Sequence, residues 1–221
     1  ISACLVGSEM CIRDRAMAER SEVSLEQRAA AIRNMHQAIT LLRTVPQVVI
    51  GMVNGPTFGA GLGLAMACDL RIAALSARFG TAFAAIGFSG DFGGSYHLTK
   101  LVGAAKAREL YLLGEHVDAA RAEALGLVTR AVADGVLTDE TMALARRIAA
   151  GPLVAYGYMK RNLLAAESAS LQDVLDLEAF HQARTSLTED HKEAARAFVE
   201  KRKPVFRGHM PADATGKSSR T

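Results

Sequence analysis

Two stretches of the chain hold residue types at spacings that could do chemistry. The first is residues 54–69, NGPTFGAGLGLAMACD, where an apolar β-rich run turns through glycines into an apolar helical stretch. A buried strand that turns straight into a helix leaves several backbone N–H groups at the helix start without intrahelical acceptors, and these can hold an anion or a developing oxyanion. The same pattern also suits a tight packing turn with no chemical role. Gly59, Gly61 and Gly63 do not complete G-x-G-x-x-G, and no Lys-Ser or Lys-Thr pair follows, so dinucleotide and P-loop readings fail. The second stretch, residues 87–94, places four glycines around one carboxylate, Asp91, with Phe83, Ile86, Phe88 and Phe92 near it in sequence. A carboxylate in apolar surroundings is suited to exchanging a proton with a substrate, whereas an aspartate before a helix also serves as an N-cap.

Other reactive residue types form no comparable constellation. Ser89 sits in GFSGD, which lacks the closing glycine of a nucleophile elbow. The six histidines, His36 and His97 among them, are scattered without His-x-x-x-His spacing, so no metal site is expected and they read as surface or packing residues. Cys4, Cys11 and Cys68 are three, without ligand spacing, which argues against a disulfide framework and for a reducing, cytoplasmic setting. Lys and Arg number 26 against 23 Asp and Glu, a net charge of +3 that is too slight to argue for nucleic acid or an anionic membrane. The basic cluster at residues 201–207 is explained as a solvated helix end. The apolar runs at 48–53 and 58–68 are far short of the about 20 residues a membrane span requires.

These residues need elements to hold them. Ser24 with Gln27 makes a capping box, and Ile32, Met35, Ile39 and Leu42 recur at helical spacing, so a helix is expected over 24–44, ended by Pro46. Residues 48–53 read as a buried strand, 60–68 as a helix, and 70–74 and 78–80 as strands. Beyond residue 95 the chain becomes mainly helical, with helices expected over 98–113, 119–125, 138–149, 153–166, 171–186 and 189–203 and a strand over 127–132. Half of the residues are hydrophobic and 22% are charged, as in a globular α/β protein. Residues 1–15, ISACLVGSEMCIRDR, show neither helical nor strand periodicity nor the pattern of a secretory signal; they resemble translated adapter or vector sequence, read as a non-native segment, and are set aside in reading the fold. Small polar residues over 209–221 read as a disordered tail.

Taken in order, these motifs resemble the crotonase (enoyl-CoA hydratase/isomerase) superfamily. Residues 46–69 resemble its strand, Asn-Gly turn, glycine-rich oxyanion segment and helix ending in Cys-Asp. ARFG at 77–80, GFSGDFGGSYHLTKLVG at 87–103, DAARAEALGLV at 118–128 and FVEKRKPVF at 198–206 resemble its later signatures. The resemblance covers about residues 16–208, as several motifs in sequence order. It implies an α/β spiral of ββα units over residues 16–135, a partial core, followed by a C-terminal helical trimerisation region over 136–208. It also implies earlier strands, and a loop carrying a first oxyanion donor, that precede this core in the family and are absent from the chain, which therefore reads as N-terminally truncated.

What the resemblance implies chemically is acyl-CoA thioester chemistry through an enolate held by two backbone N–H groups. One donor maps to Ala60, with Gly59 and Gly61 beside it, and a backbone donor is indifferent to the Gly or Ala side chain. The two glutamates of the family's hydratases map to Gly63 and Phe83, neither of which can exchange a proton. Asp91 matches the single carboxylate of ring-type isomerases and the nucleophile of aromatic acyl-CoA dehalogenases. Phe83 and Phe88 are implied acyl-pocket residues, and Phe198 and Lys201 match positions that approach the coenzyme A of a neighbouring subunit. The expected activity is enoyl-CoA isomerisation with Asp91 as acid/base; hydration, dehalogenation and non-catalytic acyl-CoA binding are the alternatives, and the absence of tryptophan weighs against dehalogenation. Coenzyme A would enter as part of the substrate, with no other cofactor. The family's usual assembly is a homotrimer or hexamer.

Overall fold

The structure is a computed structural model that describes residues 3–5 and 23–208. The tail expected over 209–221, and most of the 1–15 segment, lie outside these residues. The chain divides into two compact units, residues 1–44 with 49–143 and residues 45–48 with 144–221.

In the first unit the elements run β1 (Ala3–Leu5), α1 (Leu25–Thr44), β2 (Ile50–Val53), β3 (Thr57–Phe58), α2 (Ala60–Ala67), β4 (Leu70–Ala74), β5 (Arg78–Gly80), α3 (Gly94–Leu113), β6 (Val117–Asp118), α4 (Ala119–Ala124) and β7 (Arg130–Val132). One sheet has the order β1-β2-β4-β7 and is parallel throughout, with Ile50 opposite Leu70 and Ile72 opposite Arg130. A second sheet, β3-β5-β6, pairs β3 with β5 in parallel and β5 with β6 antiparallel. Each turn of the chain thus adds a strand to the first sheet, a strand to the second and then a helix: β2-β3-α2, then β4-β5-α3. This is the spiral of ββα units that the family resemblance implies. Val53, Leu62, Met66, Phe79, Leu98 and Leu110 are buried together in its core.

Local chemistry explains the boundaries. The capping box forms at α1, with the Gln27 N–H donating to Ser24 Oγ at 3.3 Å and the Ser24 N–H to Gln27 Oε1 at 3.1 Å. Asp118 caps α4 by accepting the Arg121 N–H at 2.8 Å. The strand expected over 127–132 is shorter because the Leu127 and Val128 N–H groups are committed to the Ala122 carbonyl at 2.8 and 3.3 Å. The helix expected over 98–113 starts earlier and is broken at Gly103, whose φ of 79° only glycine adopts without strain. Ala3–Leu5, within the segment set aside in reading the fold from sequence, forms a strand. The outer edge of β2 presents N–H and C=O groups that need partners, and these three residues supply them.

The second unit is helical, taking in the end of α5 (Leu137–Ala149), then α6 (Leu153–Ala166), α7 (Leu171–Ser186) and α8 (Glu189–Val199). Lys160, buried on α6, donates from Nζ to the Gln47 carbonyl at 3.0 Å, and His181 on α7 bonds Asn162 and packs 4.5 Å from the Tyr158 ring. Helix α8 stops four residues short of the expected end because Lys201 turns into the left-handed region at φ 51°. Glu193 holds the chain that follows, accepting from Arg202 Nη1 at 2.5 Å and from the Val205 N–H at 3.1 Å. Among the described residues no helix is long and apolar enough to cross a membrane.

The Glu193 carboxyl is held at about 2 against an ordinary 4.5, first by the Arg202 hydrogen bonds and then by the Val205 N–H. A depressed folded-state value means that the tether is fully present above 4.5 and is lost as pH falls towards about 2. The protection of the Val205 amide against hydrogen exchange, corrected for the intrinsic rate, is therefore expected to be flat from neutral pH down to 4.5 and to decline below it. Glu193→Gln should show the reduced protection already at neutral pH.

Candidate active site

Helix α2 is short, apolar and buried, so both of its polar ends must be accounted for. At its C-terminal end the Arg71 guanidinium, 6% exposed, donates to the carbonyls of Cys68 at 2.5 Å, Met66 at 3.4 Å and Ala65 at 3.5 Å, and to Leu127 at 2.6 Å. Burial pushes this guanidinium down from its usual value, opposed by the charges of Cys68 and Asp69. At the N-terminal end Gly59 takes φ 54°, ψ −123°, its N–H donates to the Gly80 carbonyl at 3.1 Å, and the Gly63 N–H returns to the Gly59 carbonyl at 3.2 Å. Helix geometry directs the N–H groups of Ala60 and Gly61 out of the helix start, the kind of arrangement that can hold a negative charge. Gly59, Ala60 and Gly61 are all buried.

Asp91 lies on the glycine loop that leads into α3, with its side chain 18% exposed. Its Oδ1 accepts the Phe92 N–H at 2.8 Å and is hydrogen-bonded to His36 Nε2 from α1. With Asp91 ionised, the carboxylate accepts and Nε2 is the donor in this pair. Asp91 is not the side-chain cap of α3. That helix starts at Gly93 with no side-chain cap bond, and the Gly94 N–H goes to the Asp91 backbone carbonyl at 2.9 Å. The next residue, Phe92, is buried with Ala60, Ile39 and Ala67 in one apolar cluster, which Met35 and Leu64 flank, so the loop, α1 and the start of α2 converge.

The aromatic residues divide. Phe83 is buried and stacks on Tyr111 with centroids 6.0 Å apart and rings 15° from parallel, whereas Ile86 and Phe88 are more than half exposed. Of the four apolar residues near Asp91 in sequence, Phe83 and Phe92 are therefore buried and Ile86 and Phe88 are not. Phe198, 85% exposed, and Lys201 lie in the second unit, at and just past the end of α8. His36 was not singled out by its sequence spacing, although one signal was present: it interrupts the apolar face of α1 between Ile32 and Ile39. Among the described residues no group of three or more His, Cys, Asp and Glu could hold a metal ion.

An apolar-walled carboxylate beside the start of a glycine-rich helix, on a spiral of ββα units, defines a class of protein. The model of the enoyl-CoA hydratase/isomerase family matches residues 15–209, and the chain belongs to that family. It is 38% identical over 167 residues to 1,2-epoxyphenylacetyl-CoA isomerase of Escherichia coli K12, covering 76% of this chain and 64% of that one. It is also 38% identical over 152 residues to short-chain-enoyl-CoA hydratase of Clostridioides difficile, covering 69% of this chain and 97% of that one. A crystal structure of an enoyl-CoA hydratase from Polaromonas sp. JS666 superposes with a TM-score of 0.83 at 34% identity, covering 88% of this chain and 76% of that one. The chain thus spans just under two thirds of the E. coli relative's length.

Tyr111 is a testable part of this site. Among the described residues its hydroxyl is a buried side-chain oxygen without a hydrogen-bond partner. Burial pushes the phenol up, the charge of Asp91 adds to this, and the nearby Ser95 hydroxyl opposes it. Since a buried unpaired hydroxyl is unfavourable by about 1–3 kcal/mol, Tyr111→Phe should keep the stack on Phe83 and leave the unfolding midpoint in urea unchanged or raised. A lowered midpoint would show that the hydroxyl is paired in solution.

Proposed function

We propose that the protein isomerises enoyl-CoA thioesters by stabilising an enolate, with Asp91 as the acid/base. The observation that carries this reading is the seating of Asp91, hydrogen-bonded to His36, on a loop packed against the start of α2. Ionised Asp91 removes a proton from the carbon next to the thioester carbonyl. The negative charge moves to the thioester oxygen, where the Ala60 N–H donates to it, and the proton returns two carbons further along, so the double bond migrates with no net gain or loss of atoms. His36 Nε2–H steadies the ionised carboxylate between the two transfers. Coenzyme A is carried by the substrate and no further cofactor is needed. The name of the E. coli relative, an isomerase acting on an acyl-CoA, supports the same reading.

Water addition is the second reading, and one observation favours it. His36 gives the site a second proton-carrying group, and at 38% side-chain exposure it is open to water. The name of the C. difficile relative supports hydration. Against it stand Gly63 and Phe83, at the places where the family's hydratase glutamates map. Dehalogenation and non-catalytic binding have less support, because nothing observed beyond Asp91 adds to the former and the Asp91–His36 pair speaks against the latter. The exposed apolar residues Leu163, Leu171 and Phe180 on α6 and α7 support assembly into homotrimers or hexamers. The exposed Phe198 with Lys201 supports contact with the coenzyme A held by a neighbouring copy. A cytoplasmic setting rests on the cysteine usage alone.

Asp91→Asn keeps the size and removes proton exchange, so isomerase turnover should fall by about 100-fold or more, with acyl-CoA affinity and stability nearly unchanged. Proton exchange beside the thioester, followed by NMR in deuterated water, separates the readings: water addition without double-bond migration would establish hydration instead. Ala60→Pro removes the proposed donor at the first helical position, where proline is tolerated, and should raise the barrier by about 3 kcal/mol in a protein that still folds. An unchanged rate would remove Ala60 from the mechanism.

A further inference from the structure

Glycine is a poor helix former, and Gly63 stands inside a buried helix where alanine would serve the helix better. The reason lies across the packing. A Cβ at residue 63 would stand 2.6 Å from the Phe92 carbonyl oxygen and 2.7 Å from the Phe92 Cβ. These separations are shorter than any non-bonded contact allows, and one of the two atoms is backbone, which cannot swing aside as a side chain would. Phe92 itself takes φ 50°, an unfavourable value for a residue with a side chain, so the loop is held in this seat against a local preference. Gly63 is three residues after Ala60, and Asp91 immediately precedes Phe92. The contact therefore fixes the spacing between the carboxylate and the helix start.

We infer that Gly63 is a positioning residue for Asp91, and that its bare backbone makes the seated loop and any side chain at residue 63 mutually exclusive. Resting on the isomerase reading above, this deepens it into a statement of specificity. The place where a hydrating enzyme of this family would carry a carboxylate is here filled by the Phe92 backbone. Restoring a glutamate would displace the loop and misplace Asp91 instead of adding a second acid/base, so the site works with one carboxylate, supported by His36.

The test uses Gly63→Ala in the complete protein, with thermal unfolding as the check of folding. Two readouts are taken below the unfolding transition: the nitrogen-15 NMR signal of the His36 ring without substrate, and steady-state kinetics with trans-3-hexenoyl-CoA. If the contact seats the loop, the Gly63→Ala protein loses the His36 signature of the bond to Asp91. Its kcat falls by about 100-fold, as expected for a misplacement on the order of an ångström, while KM changes by less than about threefold. Gly63→Glu gains no water addition with crotonyl-CoA. A folded Gly63→Ala protein that keeps the His36 signal and a kcat within about twofold of the parent overturns the inference. Asp91→Asn, measured alongside, keeps the two readings distinguishable. If it retains turnover the isomerase reading fails, and the His36 signal of Gly63→Ala still decides whether residue 63 seats the loop.

Discussion

A buried helix of eight residues cannot stand in an apolar core with both ends unsatisfied, and α2 meets this problem differently at its two ends. Arg71 closes the C-terminal end by donating to three of its last carbonyls, and it spends its remaining reach on Leu127, which ties in the chain before β7. The N-terminal end is shaped by Gly59. The asymmetry matters because a helix with a cation at its carbonyl end is electrostatically directed towards a negative charge at its start. The rest of the first unit is arranged around that direction. The parallel sheet carries Arg71 on β4, and the second sheet fixes Gly59 through Gly80 on β5.

The spiral explains how residues distant in sequence meet. Successive turns of chain contribute α1 with His36, α2 with Ala60, the glycine loop with Asp91, and α3 with Tyr111. No single turn holds the whole proposed site. Its geometry depends on the packing between turns, whose apolar cluster joins Phe92, Ala60 and Ile39 from three of them.

Much of this was legible in the residues. The capping box at Ser24, the apolar run into glycines at 54–69 and the lone carboxylate in the 87–94 loop each express a local rule, and local rules act within a few residues. His36, Arg71 and Tyr111 were not legible in the same way. His36 meets Asp91 across 55 positions and Arg71 meets Leu127 across 56, so their partners follow from topology and not from spacing. Boundaries also escaped where a distant or backbone group intervened: Ala122 took the N–H groups that would have lengthened β7, and a left-handed Lys201 ended α8 before its proline. The β1 strand was missed because three apolar residues carry almost no periodicity.

The Gly63 and Phe92 contact also restricts how this sequence can change over time. A loop that occupies the space of a side chain closes the single-step route to placing one there, because each such replacement meets a backbone atom before it can confer any benefit. Change would have to begin in the loop, with substitutions that let Phe92 withdraw, and only afterwards reach the helix. The order of substitutions is therefore constrained by packing, and residue 63 is held to glycine for as long as Phe92 keeps this seat.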